Sequence, residues 1–202
     1  MTLFMKARLI LPLLFISSMA IAQFKPHIGM NWAQLSSEPQ DFTKEGRLGF
    51  VIGAGFKFGE SWYVEPGVQF SNLGTKLINK DDNDITHQSY VQTIRVPVMA
   101  GYDLMDKESL LNLRLYTGPS ASFVMGVNTE NSAAPDGVLP EGKENYVNTI
   151  WGWNFGVGID ITFIYVELGY ELGLTDFYSI KTPNTSGVKN NAFFITAGVN
   201  LF

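Results

Sequence analysis

Apolar and small or polar residues alternate along residues 151 to 174 almost without exception, with the period of a β-strand. The odd positions are apolar from Trp151 to Ile161, and the even positions are apolar from Ile164 to Leu174. Strand side chains alternate between two faces, so this abrupt change of parity predicts a tight hairpin with its turn at Thr162 and Phe163. One face of the hairpin is predicted to be apolar and the other polar and rich in glycine.

Six further stretches show a similar alternation, so the chain is predicted to form about eight strands of the length that an outer-membrane barrel needs. Pro66 removes a ladder donor and predicts a bulge or a weaker strand, and Pro97 is a second irregularity, on the inward face. The predicted fold class is all-β, an eight-stranded antiparallel transmembrane up-and-down β-barrel with a filled lumen. The six stretches are Phe24 to Leu35, Arg47 to Phe58, Trp62 to Ser71, Val91 to Leu104, Leu110 to Met125 and Ala192 to Phe202.

The connections between the predicted strands alternate between short and long. Outer-membrane barrels have short periplasmic turns and long extracellular loops, so both termini are predicted to lie in the periplasm. A soluble β-sandwich would have no reason to place all its long loops at one end. In addition, aromatic residues on the outward face fit the aromatic girdles of a membrane barrel. The long connections lie near residues 36 to 46, 74 to 90, 127 to 148 and 175 to 191, and the aromatic residues are Trp32, Trp62, Tyr102, Trp151, Trp153 and Tyr170.

The N-terminus carries the longest apolar run, from Leu9 to Ile16, after two basic residues and before a small-x-small site that ends at Ala22. This order predicts a secretory signal peptide over residues 1–22, with residues 23–202 as the barrel domain; an uncleaved anchor is the alternative. The overall composition is 46% hydrophobic with a net charge of -5, which resembles a soluble domain. The chain has no cysteine, which excludes disulfides and thiolate sites.

The predicted inward face carries three cations and four carboxylates, in a barrel whose interior is just wide enough for side chains to fill. Buried charges are costly unless they are paired, so these groups are predicted to form a lumen network; a proton or ion path is the alternative. Lys57 is expected opposite Tyr63 and within reach of Glu65. The seven charged residues are Lys57, Arg95, Arg114, Glu65, Asp160, Glu167 and Glu171.

The hairpin places two pairs of glycines on the inward face, and these are predicted to leave a trough without side chains. The pairs are Gly156 with Gly169 and Gly152 with Gly173. Asp160 and Glu167 lie diagonally beside the trough, where Arg95 and Arg114 are the candidate cations. The two carboxylates could also work as a general acid and base, although no nucleophile accompanies them.

A His-x-Ser pair, His87 and Ser89, is the sharpest catalytic candidate, because an imidazole can activate a hydroxyl. Its nearest acids are Asp82 and Asp84, and the corresponding function is that of a lipid A-modifying hydrolase. Asp81 with these two acids could hold calcium but lacks the glycine and terminal Glu of an EF-hand. His27 is interpreted as a polar residue near the periplasmic rim. No phosphate loop, Cys/His metal cluster or nucleic-acid stripe is found, so no catalytic, cofactor or metal residue is predicted.

Four motifs occur in a fixed order along the chain: Val64 to Ser71 with Gly74 and Lys76, Ile94 to Val98, Tyr116 to Pro119, and Gly169 to Asp176. In this order and spacing they resemble the PorT-like outer-membrane β-barrel proteins over nearly all of residues 24 to 202. The last strand resembles the family's terminal strand, whose C-terminal Phe is read by the barrel-assembly machinery. Phe202 is out of step with the apolar residues before it, which predicts a terminal bulge or an atypical assembly signal.

The resemblance implies a location in the outer membrane and a barrel fold, in a family named for a member tied to protein secretion and surface export. The predicted function is a non-enzymatic surface-interaction or secretion-accessory protein that acts through its extracellular loops or its lipid-facing wall. Its expected partners are outer-membrane lipid, the barrel-assembly machinery during insertion and another cell-envelope protein, without nucleic acid. A lipid hydrolase and a soluble lipocalin-like binder are the alternatives, and the second would expose the aromatic outward face to water.

Overall fold

Eight antiparallel strands close into a barrel in sequence order in the computed structural model, which describes residues 22–36, 42–79, 85–105, 110–130, 146–177 and 188–201. The predicted all-β, eight-stranded up-and-down barrel is therefore confirmed. No helix within these residues has the length and apolar character of a membrane span. The strands are β1 (Gln23–Leu35), β2 (Phe42–Gly59), β3 (Trp62–Asn79), β4 (Ile85–Asp103), β5 (Leu111–Glu130), β6 (Thr149–Ile161), β7 (Ile164–Gly173) and β8 (Asn190–Val199).

Side chains alternate between the outer wall and the lumen along each strand, with the parity that the sequence predicts. Trp62 is 76% exposed, whereas the next residue, Tyr63, is 4% exposed. All four tryptophans lie on the outer wall, and the Trp62 ring packs 4.8 Å from the ring of Tyr102. The outer wall is thus a continuous apolar surface, which is unsuited to water.

The hairpin of β6 and β7 has the predicted register. Ile161 pairs with Ile164 across the turn, and the two predicted glycine pairs, Gly156 with Gly169 and Gly152 with Gly173, are present. The turn residue Thr162 has a positive φ of 58°. The predicted position of this turn, at Thr162 and Phe163, is therefore confirmed.

Strands β2 to β5 are longer at the long-loop end than predicted. Strand β2 begins at Phe42 rather than Arg47, β3 continues to Asn79, β4 begins at Ile85 and β5 continues to Glu130. The predicted loops 36–46, 74–90 and 127–148 are wrong to that extent. An alternation of apolar residues indicates which part of a strand contacts lipid. Backbone pairing between neighbouring strands can continue beyond that part, so the strands are longer than the alternation indicates.

Of the two alternatives predicted for Pro66, a bulge or a weaker strand, the bulge does not occur. The register from Pro66 paired with Val98 to Gln69 paired with Arg95 is unchanged, because the flanking pairs hold the ladder. Pro97 faces the lumen as predicted. The register shifts occur elsewhere, between Arg47 and Val51, Leu77 and Ile78, and Gln92 and Thr93.

The last strand ends at Val199, earlier than the predicted Phe202. Leu201 still bridges Phe24 and keeps the register of β1 with β8, so no terminal bulge occurs before Leu201. Phe202 and the predicted signal peptide up to residue 21 lie outside the described residues.

Candidate functional site

Arg114 is a fully buried charge of the lumen, with 0% exposure. Its position on β5, opposite Gly158 of β6, leaves room for its side chain to reach β7. The guanidinium donates to Glu167 at 2.7 Å, and Asp160 lies 3.5 Å away. Asp160 also accepts a hydrogen bond from Asn200 at 2.8 Å. The predicted pairing of Arg114 with these two carboxylates is confirmed.

Lys25 of β1 is a lumen cation that the sequence analysis missed. Its ammonium donates to Glu65 at 2.7 Å and to Glu167 at 3.3 Å, and it lies 4.4 Å from the centre of the Tyr165 ring. The sequence could have indicated that Lys25 faces the lumen, because Lys25 has the same odd parity as the inward Asn31 of β1. Glu167 is thus held between two buried cations, which offsets the cost of its own burial.

Arg95 does not pair with Asp160 or Glu167 as expected. Its guanidinium donates to Glu171 at 2.7 Å and also to Gln69 and Asn154. Glu171 lies beyond Glu167 along β7, on the same face. Arg95 and Glu171 therefore form a second layer of ion pairs, at a different height in the lumen. Ser120 donates to the same carboxylate at 2.6 Å, which completes this layer.

Lys57 binds a different carboxylate from the one suggested by the sequence. Gly59 pairs with Tyr63, so Lys57 is not opposite Tyr63, and its ammonium donates to Asp103 at 2.6 Å. The ammonium remains near Tyr63, 4.4 Å from the ring centre. The expected partner Glu65 binds Lys25 instead.

His27 is buried in the lumen, and its interpretation as a rim residue is wrong. One ring nitrogen lies 3.0 Å from the side-chain nitrogen of Gln69, and the other lies 3.3 Å from the Tyr165 hydroxyl. The carbonyl oxygen of Gln69 accepts from Arg95, so its amide nitrogen donates to His27. A cavity of about 50 Å³ adjoins His27, with Glu65 and Glu167 in its wall. This volume suits a few water molecules.

The predicted empty trough is wrong, because Tyr116 occupies the space at Gly156 and Gly169, and the Glu171 side chain occupies that at Gly152. The Tyr116 ring covers Gly156, and its hydroxyl would lie 2.9 Å from a Cβ placed on Gly169. Tyr116 is paired directly with Gly156, and the same arrangement occurs for Tyr63 with Gly101 and for Tyr165 with Gly198. A missing Cβ on one strand thus admits an aromatic ring from the next.

An apolar plug closes the lumen toward the long-loop end. It has two parts that meet where Leu73 pairs with Val91. Phe194, in this plug, lies 4.7 Å from the Arg95 guanidinium, so the plug sits directly on the ionic network. Backbone hydrogen bonds join Phe177 to Val147 and to Val188, and so connect the chain segments at the long-loop end of the plug. The two parts are Val91, Val124, Tyr146, Ile150, Phe177 and Val188, and Ala33, Val51, Leu73, Ala192 and Phe194.

Of the catalytic candidates, the structure describes the side chains of Asp160 and Glu167. Asp160 and Glu167 both pair with Arg114, which assigns them to the charge network of the lumen. His87 and Ser89 lie on the backbone of β4, but their side chains, together with Asp81, Asp82 and Asp84, are outside the described residues. Among the described residues, no group of His, Asp or Glu is arranged to hold a metal ion.

The apolar outer wall and the filled interior together define an integral membrane β-barrel whose lumen is packed with paired charges below and apolar side chains above. The chain belongs to the family described as outer membrane protein beta-barrel domain, whose model matches residues 18–179. This membership places the protein in the outer membrane, and it disfavours a soluble lipocalin-like binder.

Solved structures of outer-membrane proteins resemble this one at low sequence identity. OprG from Pseudomonas aeruginosa is 10% identical with a TM-score of 0.50, over 89% of this chain and 93% of that one. Ail of Yersinia pestis, in complex with the heparin analogue sucrose octasulfate, is 11% identical with a TM-score of 0.47, over 89% and 99%. A neisserial surface protein, NspA, is 16% identical with a TM-score of 0.46, over 88% and 96%. The likeness to OprG supports the fold alone. A search of curated protein sequences finds no match.

Proposed function

We propose that this protein is a non-enzymatic surface-interaction or secretion-accessory protein of the PorT-like kind, which acts through the loops at the long-loop end. The observation on which the proposal rests is that two different sets of side chains fill the lumen. Ion pairs around Arg114 and Arg95 fill one half, and the apolar plug fills the other. Because a lumen packed in this way leaves no path for a solute, the activity is assigned to the outer surface and the loops.

The proposal includes an orientation for the barrel in the membrane. The short connections at 60–61, 104–110 and 162–163 are placed in the periplasm with both termini, and the long connections outside the cell. The signal peptide at residues 1–22 is part of the proposal, since it supplies export across the inner membrane.

Single cysteines test the orientation cleanly because the chain has none of its own. Asn128, exposed near the end of β5, is replaced by Cys in one variant, and Ser61, in a short turn, is replaced in the other. In intact cells a membrane-impermeant maleimide should label Asn128→Cys, and it should label Ser61→Cys only after the outer membrane is permeabilised. The opposite pattern would reverse the proposed orientation.

Cross-linking from the labelled positions then tests the interaction itself. A photo-activated cross-linker on Asn128→Cys should give a defined adduct with another envelope or surface component, and the same reagent on Ser61→Cys should not. Replacement of residues 131–145 by a Gly-Ser linker should abolish that adduct while the variant still migrates as a folded barrel in an unboiled gel. An adduct unchanged by the replacement would assign binding to a part of the protein other than this loop.

A further inference from the structure

The β6–β7 turn has an unusual sequence for a two-residue hairpin. Thr162 adopts the left-handed φ of 58°, a conformation that β-branched residues rarely take. Gly, Asn or Asp normally occupy such positions in water-exposed hairpins. The next residue, Phe163, is large, apolar and 59% exposed. The turn therefore carries none of the Gly, Asn or Asp residues that a hairpin tip in water favours.

Apolar side chains around this turn form one surface, which we call the rim patch: Leu110, Ile161, Phe163 and Ile164. Leu110 is 79% exposed and adjoins the turn, because the Thr162 amide donates to its carbonyl at 3.0 Å. Ile161 and Ile164 continue directly into the outer wall through Ile159 and Val166. The rim patch is thus the end of the lipid-facing wall, extended onto the turn.

Two of the four backbone polar groups of the turn are also hydrogen-bonded within the protein. The Thr162 amide is paired with Leu110, and the Phe163 carbonyl accepts from the Asn200 amide at 2.7 Å. In lipid, an unpartnered backbone polar group is costly, and these two hydrogen bonds remove that cost for the Thr162 amide and the Phe163 carbonyl. In contrast, the β2–β3 turn carries Glu60 and Ser61, which are exposed and polar.

We propose that the rim patch is a phospholipid-binding surface that inserts the β6–β7 turn into the adjacent leaflet, while the β2–β3 turn on the same barrel end stays in water. Continuity with the lipid-facing wall, the internal hydrogen bonds of the Thr162 amide and the Phe163 carbonyl, and the apolar residues at a strained turn all support this assignment. The barrel then sits unevenly in the membrane, deeper on the β5–β7 side.

Spin labels test the depth of each turn in the full-length barrel. Phe163→Cys, Ser61→Cys and Ile159→Cys are labelled with a nitroxide and folded into vesicles of phosphatidylethanolamine and phosphatidylglycerol. Collisions with oxygen should exceed collisions with a nickel chelate at 163, as at the lipid-facing position 159, and the order should be reversed at 61. Unboiled gel mobility, together with the reading at 159, shows that each barrel has inserted.

A second variant separates insertion from the properties of the label. Phe163→Asn supplies a better turn residue for water, and it should shift a label at Leu110→Cys toward greater nickel accessibility. A label at 163 that collides mainly with nickel, as at 61, would overturn the proposal. The rim patch would then face water and be available to a periplasmic protein instead.

Discussion

Replacing Arg114 with methionine is expected to lower the free energy of unfolding by about 3–5 kcal/mol, the cost of removing one partner from a buried ion pair. Arg114 is fully buried and is bound to Glu167, with Asp160 nearby. Its loss leaves Asp160 without a cation among the described residues and Glu167 with Lys25 alone. Urea-driven unfolding in lipid vesicles measures the difference.

Two further variants separate lost charge pairing from other effects of the Arg114 replacement. Lys189→Met removes an exposed cation and should change stability by less than about 0.5 kcal/mol. Arg114→Met combined with Asp160→Asn should recover part of the loss, because the stranded carboxylate becomes a neutral amide. If Arg114→Met and Lys189→Met are equally stable, the lumen network does not contribute to stability in the way described.

Replacing Gly156 with alanine is expected to destabilise the barrel by about 1–3 kcal/mol, the usual cost of overpacking. The new Cβ would overlap the Tyr116 ring. Tyr116 cannot easily move toward the neighbouring strand, because its hydroxyl already closely approaches Gly169. The same unfolding measurement detects the effect, and Tyr116→Leu in the alanine background should relieve it.

Gly126 provides a matched control for this prediction. A Cβ at Gly126 has its nearest neighbour at 3.6 Å, an ordinary van der Waals distance. Gly126→Ala should therefore be tolerated, with a change within about 0.5 kcal/mol. Equal losses for Gly126→Ala and Gly156→Ala would show that the cost comes from the glycine backbone and not from the tyrosine ring.

The fold was largely predictable because alternation directly reports which side chains face outward. The parity change at Thr162 and Phe163 fixed the β6–β7 register, including Gly156 opposite Gly169. The strand ends were less predictable, because pairing beyond the lipid-facing band needs no alternation. This explains why the extension of β5 to Glu130 was missed.

Individual partners inside the lumen were harder to predict than the strands. Parity shows that Arg95 points inward, but its height in the barrel depends on strand stagger, which a sequence does not specify. Arg95 consequently binds Glu171 and not the carboxylates predicted for it. The glycine trough failed for a similar reason, since direct pairing with Tyr116 depends on the register between β5 and β6.

Ion conductance across a planar bilayer tests the central claim, that the lumen is closed and the protein acts from its outer surface. The purified barrel, confirmed as folded by its shift in gel mobility on boiling, should produce no discrete current steps. Phe177→Ala, which opens part of the apolar plug, should remain silent because the ionic network below it is intact. Reproducible steps from the unmodified protein would contradict the claim.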